Sequence, residues 1–193
     1  MTEDLLAMAL AGTVHGDGAG GVTDDLVDLA GLDRWLARWC PGLTADATAL
    51  HRVRRSRRAV RLLLSEATGA PATRVDDDGS PVDSAWARQV LNADAARVAR
   101  IHRLEVDGDR LVLRDDWTAG SALDRFAAGL AASAMGLLTG PERDRIRACA
   151  APRCVRYFLA SHGRQAFCKP ACSNRARAAR HYRRHRSPSP DRP

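Results

Sequence analysis

The sequence predicts a mainly α, α+β protein: a helical domain bearing one β-hairpin, then a small four-cysteine metal module and a basic helix. Three observations lead there. Apolar residues recur at helical period through most of the chain, a single region alternates like a strand pair, and four of the five cysteines fall within 24 residues near the end. At 193 residues and 45% apolar content, the chain can bury one core with room for a small appendage.

In chain order, a short apolar opening leads into residues 12–21, too glycine-rich to be regular and expected as a loop. Thr23, before Asp24 and Asp25, predicts an N-cap for a short helix to about Ala30. Asp33 predicts the start of another through Trp35, Leu36 and Trp39, ended by Pro41. Thr44 opens the longest helix, to about Thr68, with Gly69 and Pro71 behind it and Leu50, Val53, Val60, Leu63, Leu64 and Ala67 as its core face. The arginines interleaved there, from Arg52 to Arg61, read as a solvated face offering salt bridges. Ser80-Pro81-Val82-Asp83 joins an N-cap, a proline at the first helical position and an acid at the third, so a helix follows through Trp86, Val90 and Leu91 to about Ala99.

Residues 101–106 and 110–113 flank Asp107-Gly108-Asp109 as a β-hairpin, expected to pack on the helices because a two-stranded ribbon is marginal alone. Leu123, Phe126, Leu130, Ala134, Leu137 and Leu138 mark a central core helix from about Ser121, stopped by Gly140-Pro141. A short helix from Glu142 to about Arg147 then delivers Cys149. The division expected is a helical domain over 1–140, a metal module with its basic helix over 141–186, and a disordered tail over 187–193.

Cys149-x4-Cys154, thirteen residues, then Cys168-x3-Cys172 is a spacing that suits Zn²⁺. Two close pairs of thiolates across a short loop can close a tetrahedral shell with sulfurs about 2.3 Å from the ion, and a closed shell serves structure. One structural zinc per chain is therefore expected, and so small a unit would draw its folding free energy from the metal. His181 and His185, at i and i+4, are an alternative ligand pair, although four cysteines already complete the shell. No acidic residue lies between Asp144 and Asp191 to act as general base for a zinc-bound water, and neither a Gly-x-Ser-x-Gly elbow nor a phosphate-binding loop occurs, so no catalytic residue is assigned and no enzyme is expected. His15 reads as a structural or solvated loop histidine, and Cys40 as a buried structural thiol. Clustered cysteines at metal spacing fit a reducing cytosol, and no membrane span or leader is supported, so a cytoplasmic protein is expected.

The net charge of +7 is segregated. From residue 141 onward, thirteen arginines and one lysine face three acids, a net +11, so the first 140 residues carry −4. Behind Cys172, the residues Arg175, Arg177, Arg180, Arg183, Arg184 and Arg186 fan across about 200° of a helix at 100° per residue. Ala178, His181, Tyr182 and His185 fill the rest as a stripe expected to dock on the protein. An outward arginine fan on a metal-fixed helix suits phosphate oxygens and guanine edges, so double-stranded DNA is the expected partner. The alternative is a zinc-finger adaptor for RNA or an acidic protein, distinguishable by competition between duplex, single strand and acidic polymer.

These residues resemble the CGNR zinc-finger proteins of bacteria, whose finger ends in Cys-Gly-Asn-Arg and follows an amino-terminal ABATE domain. The likeness is carried by Cys149-Ala-Ala-Pro-Arg-Cys154, Tyr157-Phe158, Phe167-Cys168 and Cys172-Ser173-Asn174-Arg175. It implies zinc ligation by Cys149, Cys154, Cys168 and Cys172, DNA contact near Asn174 and Arg175, and a role as a stress-induced transcription regulator. Homodimerisation and an unidentified small-molecule effector are compatible with it. Ser173 stands where the signature has glycine, which would strain it if that glycine serves a left-handed turn. Phe167, Ala160 and Gly12 also depart from the pattern, standing in place of tryptophan, aspartate and asparagine.

Overall fold

A computed structural model describes residues 4–17, 21–71 and 82–186. The order is α1 (Asp4–Ala11), β1 (Val14–Gly16), β2 (Val22–Asp24), α2 (Leu29–Trp39), α3 (Ala47–Thr68), α4 (Ser84–Ala95), β3 (Arg100–Asp107), β4 (Arg110–Trp117), α5 (Ala122–Thr139), a 3-10 turn (Pro141–Arg145), β5 (Ile146–Ala148), β6 (Tyr157–Leu159) and α6 (Pro170–Arg186). The mixed, mainly helical class is the one expected. Among the described residues the three sheets are antiparallel pairs: β1 with β2, β3 with β4, and β5 with β6.

The centre is α5, as its apolar run predicts. Ser121 accepts from the Asp124 N–H while the Asp124 carboxylate accepts from the Ser121 N–H, a reciprocal cap, and the helix stops before Pro141. Phe126, Leu130, Ala134 and Leu137 are buried against α1, α3 and α4. Other helices start elsewhere than expected. One helix over Leu29–Trp39, capped by Asp28, replaces the two expected from Thr23 and Asp33, and Thr23 lies in β2. Asp46, not Thr44, caps α3, and Gly69 closes it with φ +65, the left-handed value that glycine meets without strain. Asp83 caps α4, which ends at Ala95 rather than Ala99. Ser80 and Pro81, like the expected tail over 187–193, lie outside the described residues.

The largest departure from expectation is the arginine run of α3. Val53, Val60 and Leu64 are buried as expected, but so are Arg57, at 0% exposure, and Arg61, at 4%. Arg57 holds Asp24 through both guanidinium ends (Nη2 to Oδ2 2.8 Å) and donates to Thr13 Oγ1 at 2.9 Å, pinning β2 and the start of β1 onto α3. Arg52 donates to Asp94 (Nε to Oδ1 3.1 Å) and to Asp124 (Nη1 to Oδ1 2.7 Å), and Ser56 Oγ also donates to buried Asp94 at 2.9 Å. The run offers salt bridges as expected and Arg54, Arg55 and Arg58 stay partly exposed, but Arg57 and Arg61 lie inside the fold rather than on a solvated face. Such burial is tolerable because Arg52 and Arg57 meet opposite charges with hydrogen-bond geometry and Arg61 donates to backbone carbonyls.

The ribbon β3–β4 departs in the opposite sense. Its base is fixed by the Thr118 N–H to Ala99 O bond at 2.9 Å, by Ala99 N–H to Thr118 Oγ1 at 2.8 Å, and by Trp117 lying over Gly129. Beyond the base it leaves the helices, with every residue from Ile101 to Leu111 exposed. Gly108, at φ +64, makes the expected turn.

Candidate metal centre and basic helix

The metal module is built on the helical body. Ile146 of β5 and Tyr157 of β6 are buried in the main core, with Ile146 paired to Leu159 and Ala148 to Tyr157. Arg61 locks this seam: Nη1 donates to Ala11 O at 2.7 Å, Nη2 to Val155 O at 3.0 Å, and its guanidinium lies 5.3 Å from the Tyr157 ring centroid. In place of the helix expected from Glu142 to about Arg147, the 3-10 turn and β5 lead directly into Cys149.

Cys149 to Cys154 forms a tight turn, with Cys149 N–H donating to Arg156 O and Cys154 N–H to Ala151 O. Arg153 takes φ 60, the one non-glycine residue in left-handed backbone among those described. Ser173, by contrast, lies inside α6 and bears no such strain, which corrects the expectation drawn from the signature. Phe158 and Phe167 pack around the cysteines in a second small cluster. Pro170 opens α6 in the position where its missing N–H costs no helical bond, and Cys172 follows in the first turn.

The four sulfurs lie within 4.8 Å of one another. Cys154 to Cys168 is 3.9 Å, Cys168 to Cys172 3.6 Å and Cys172 to Cys154 3.8 Å. A tetrahedron with bonds of about 2.3 Å has edges of about 3.8 Å, whereas a disulfide would bring sulfurs to about 2.05 Å. The donor set therefore fits one structural zinc, and its soft thiolates suit that ion. Hydrogen bonding with Cys154, and with the N–H groups of Cys168 and Ala151, pulls the Cys149 thiol down to about 4 against the effect of burial. The Cys149 bond, with burial, pushes Cys154 up, and burial with the neighbouring sulfurs pushes Cys168 up to about 12. A bound dication would favour loss of the thiol protons from this set.

Positive groups surround this centre. A cavity of about 230 Å³ beside it is lined by Gly16 of β1 and by Arg156, Lys169 and Arg175. Arg175 Nη2 donates to Cys172 Sγ at 3.3 Å. A zinc with four thiolates carries −2, so these cations would offset its charge. Arg175 is half-buried and turned toward the sulfur, away from the outward fan in which the wheel places it.

Past Ala176 the helix stands clear of the body. Arg177, Arg180, Arg183 and Arg184 are exposed, and Arg177 Nη2 donates to the exposed Asn174 Oδ1. The stripe expected to dock does not: Ala178, His181 and His185 are exposed and Tyr182 is 69% exposed. The anchored side is instead Cys172 and Ala176, buried in the first two turns. The His181 and His185 rings lie 4.3 Å apart on this free surface, outside the sulfur cluster. His15 Nε2 bonds Asp25 at 2.9 Å, and half-buried Cys40 follows α2, its thiol pushed up by burial. Cys40 is thus less buried than expected. No described helix is long and apolar enough to cross a membrane.

A helical body carrying four converging cysteines and a projecting basic helix defines a zinc-finger protein of mixed architecture. Residues 145–185 match the family model of the CGNR zinc finger. Residues 4–141, well over half the chain, match the ABATE family, described as "Putative stress-induced transcription regulator". The chain belongs to the ABATE family. A search of curated proteins found no match.

Proposed function

We propose that this chain is a zinc-dependent DNA-binding transcription regulator, in which Cys149, Cys154, Cys168 and Cys172 ligate one zinc and the metal fixes α6 against duplex DNA. The observation that carries the reading is the free length of α6. Its outer turns present Arg177, Arg180, Arg183 and Arg184 to solvent behind the sulfur cluster, and no acid occurs in sequence between Asp144 and Asp191. Asn174 lies at the near end of that surface, and Arg175 would act chiefly by holding the Cys172 thiolate. The helical body over 1–140 would sense an effector or dimerise, the finger over 141–186 would read DNA in the cytoplasm, and the closed sulfur shell leaves no coordination position for catalysis.

The test is the salt dependence of affinity for random-sequence duplex DNA, with zinc bound. Replacing Arg177, Arg180, Arg183 and Arg184 together by serine should weaken binding and flatten the slope of log K against log salt by about 0.9 per lost phosphate contact. Unchanged affinity and slope would defeat the reading. The exposed rings of His181, Tyr182 and His185, interleaved with these arginines, favour a second reading as an RNA-binding adaptor, since such rings can stack on unpaired bases. Single-stranded RNA displacing duplex DNA at equal nucleotide concentration would decide for it.

A further inference from the structure

The ribbon β3–β4 has one face that the helical body leaves open. Strand alternation puts Leu104 and Val106 on the same side as their cross-strand partners Leu113 and Leu111, and all four are 66–72% exposed. The other side is mostly charged, with Ile101 and Val112 among residues tied down by ion pairs, Arg114 with Glu105 at 3.5 Å and Asp107 at 3.6 Å, and Arg103 with Asp116 at 3.3 Å. The ribbon is therefore amphipathic with its apolar side in water, an arrangement that an isolated chain gains nothing by keeping.

We propose that this apolar face is a homodimer interface, in which two copies pack ribbon on ribbon about a twofold axis. Self-complementarity identifies the occupant. An axis between the Leu104–Leu113 row and the Val106–Leu111 row lays each row on the other row of the second copy, as an isologous contact requires. The same operation carries the Asp107-Gly108-Asp109 turn of one copy over the base of the other, where Arg100 and His102 lie on the apolar side. Asp109 is 98% exposed and His102 56%, and Asp115, bonded by Arg100 at 2.6 Å and by His102 at 2.7 Å, lies in the same row, so the turn meets a mixed polar row rather than a bare basic one.

The area is also adequate. Four leucine and valine side chains at this exposure present roughly 500 Å² per copy, so pairing removes roughly 1,000 Å² before the turn and the His102–Asp115 row are added, which reaches the lower range of stable interfaces at about 1,200 Å². Trp117, over Gly129, holds the ribbon base to α5 independently of the apolar rows, so the interface can be altered without disturbing the core. The proposal supplies a surface for the dimerisation included in the functional reading above and rests on that part of it alone.

Sedimentation of the full zinc-loaded chain, over a concentration series at moderate salt, tests it. The wild type should sediment as a dimer. Leu104→Glu with Leu113→Glu should raise the dimer dissociation constant about 100-fold or more, with far-UV spectrum, melting curve and zinc stoichiometry unchanged. Arg103→Ser with Arg114→Ser, on the polar face, should remain dimeric. A wild type monomeric throughout the series, or a glutamate variant that still dimerises, overturns the proposal. Should the double variant fail to fold, Val106→Lys alone gives the same readout, and a dimeric V106K chain is equally fatal. DNA binding by a monomeric wild type would sink the interface and spare the DNA reading, and a dimer with no DNA affinity would do the reverse.

Discussion

Replacing Arg57 by methionine keeps much of the side-chain bulk and removes the charge from a site with no access to water. The change deletes two guanidinium bonds to Asp24 and one to Thr13, and leaves the Asp24 carboxylate, 11% exposed, with the Leu26 N–H as its close donor. Breaking a buried pair from one side costs about 3–5 kcal/mol because the survivor's charge stays desolvated. Arg54, 3.9 Å from Asp24 Oδ2, still offsets part of it, which places Arg57→Met near 3 kcal/mol. Asp24→Asn strands a fully buried guanidinium and belongs nearer 4 kcal/mol. With both charges gone, Arg57→Met with Asp24→Asn should cost less than the sum of the singles by about 2 kcal/mol or more. Urea unfolding of the zinc-saturated protein measures all three, provided the slope with denaturant is common to them. A single Arg57→Met loss below about 1 kcal/mol, or strict additivity, would refute the claim that this arginine is a paired interior charge.

Three further outcomes follow from the site and its surroundings. Arg175→Met removes a charged donor from the Cys172 sulfur, worth about 1.5 kcal/mol, and should weaken zinc about tenfold in competition with a coloured chelator while helix content holds. Arg153→Gly relieves left-handed backbone that costs about 1 kcal/mol for an L-residue, so zinc should bind about fivefold more tightly by the same assay. Hydrogen bonds from Arg52 and Ser121 hold the Asp124 carboxyl at about 2. A lowered carboxyl stabilises the fold above its unfolded value of about 4 and loses that contribution as pH falls toward 2, so Asp124→Asn should flatten the acid limb of a stability profile across that window.

Much of this was readable from residue order alone. Metal ligation is a matter of spacing and ligand type, so the four cysteines declared themselves, and α5 did so because Ser121, an unbroken apolar stripe and Gly140-Pro141 all agree. The three-residue strands β1, β2, β5 and β6 are too short for alternation to register. Arg57 and Arg61 were misplaced because periodicity assumes that charge faces water, while their partners Asp24, Ala11 and Val155 are distant in sequence. The α6 stripe failed for a related reason: a helical wheel shows which residues share a side, but among the described residues nothing covers Ala178, His181, Tyr182 and His185, which are exposed. The signature glycine points at Ser173 as the strained position, whereas the left-handed residue of the metal turn is Arg153.

The seam at Arg61 makes zinc a thermodynamic component of the whole chain. Because Ile146 and Tyr157 belong to the main core, and one guanidinium bonds both Ala11 and Val155, the body cannot reach its folded free energy while the finger is disordered. Metal activity then enters the unfolding equilibrium by mass action, each tenfold rise in free zinc above its dissociation constant adding about 1.4 kcal/mol. The surrounding metal concentration would set how much of this protein persists folded.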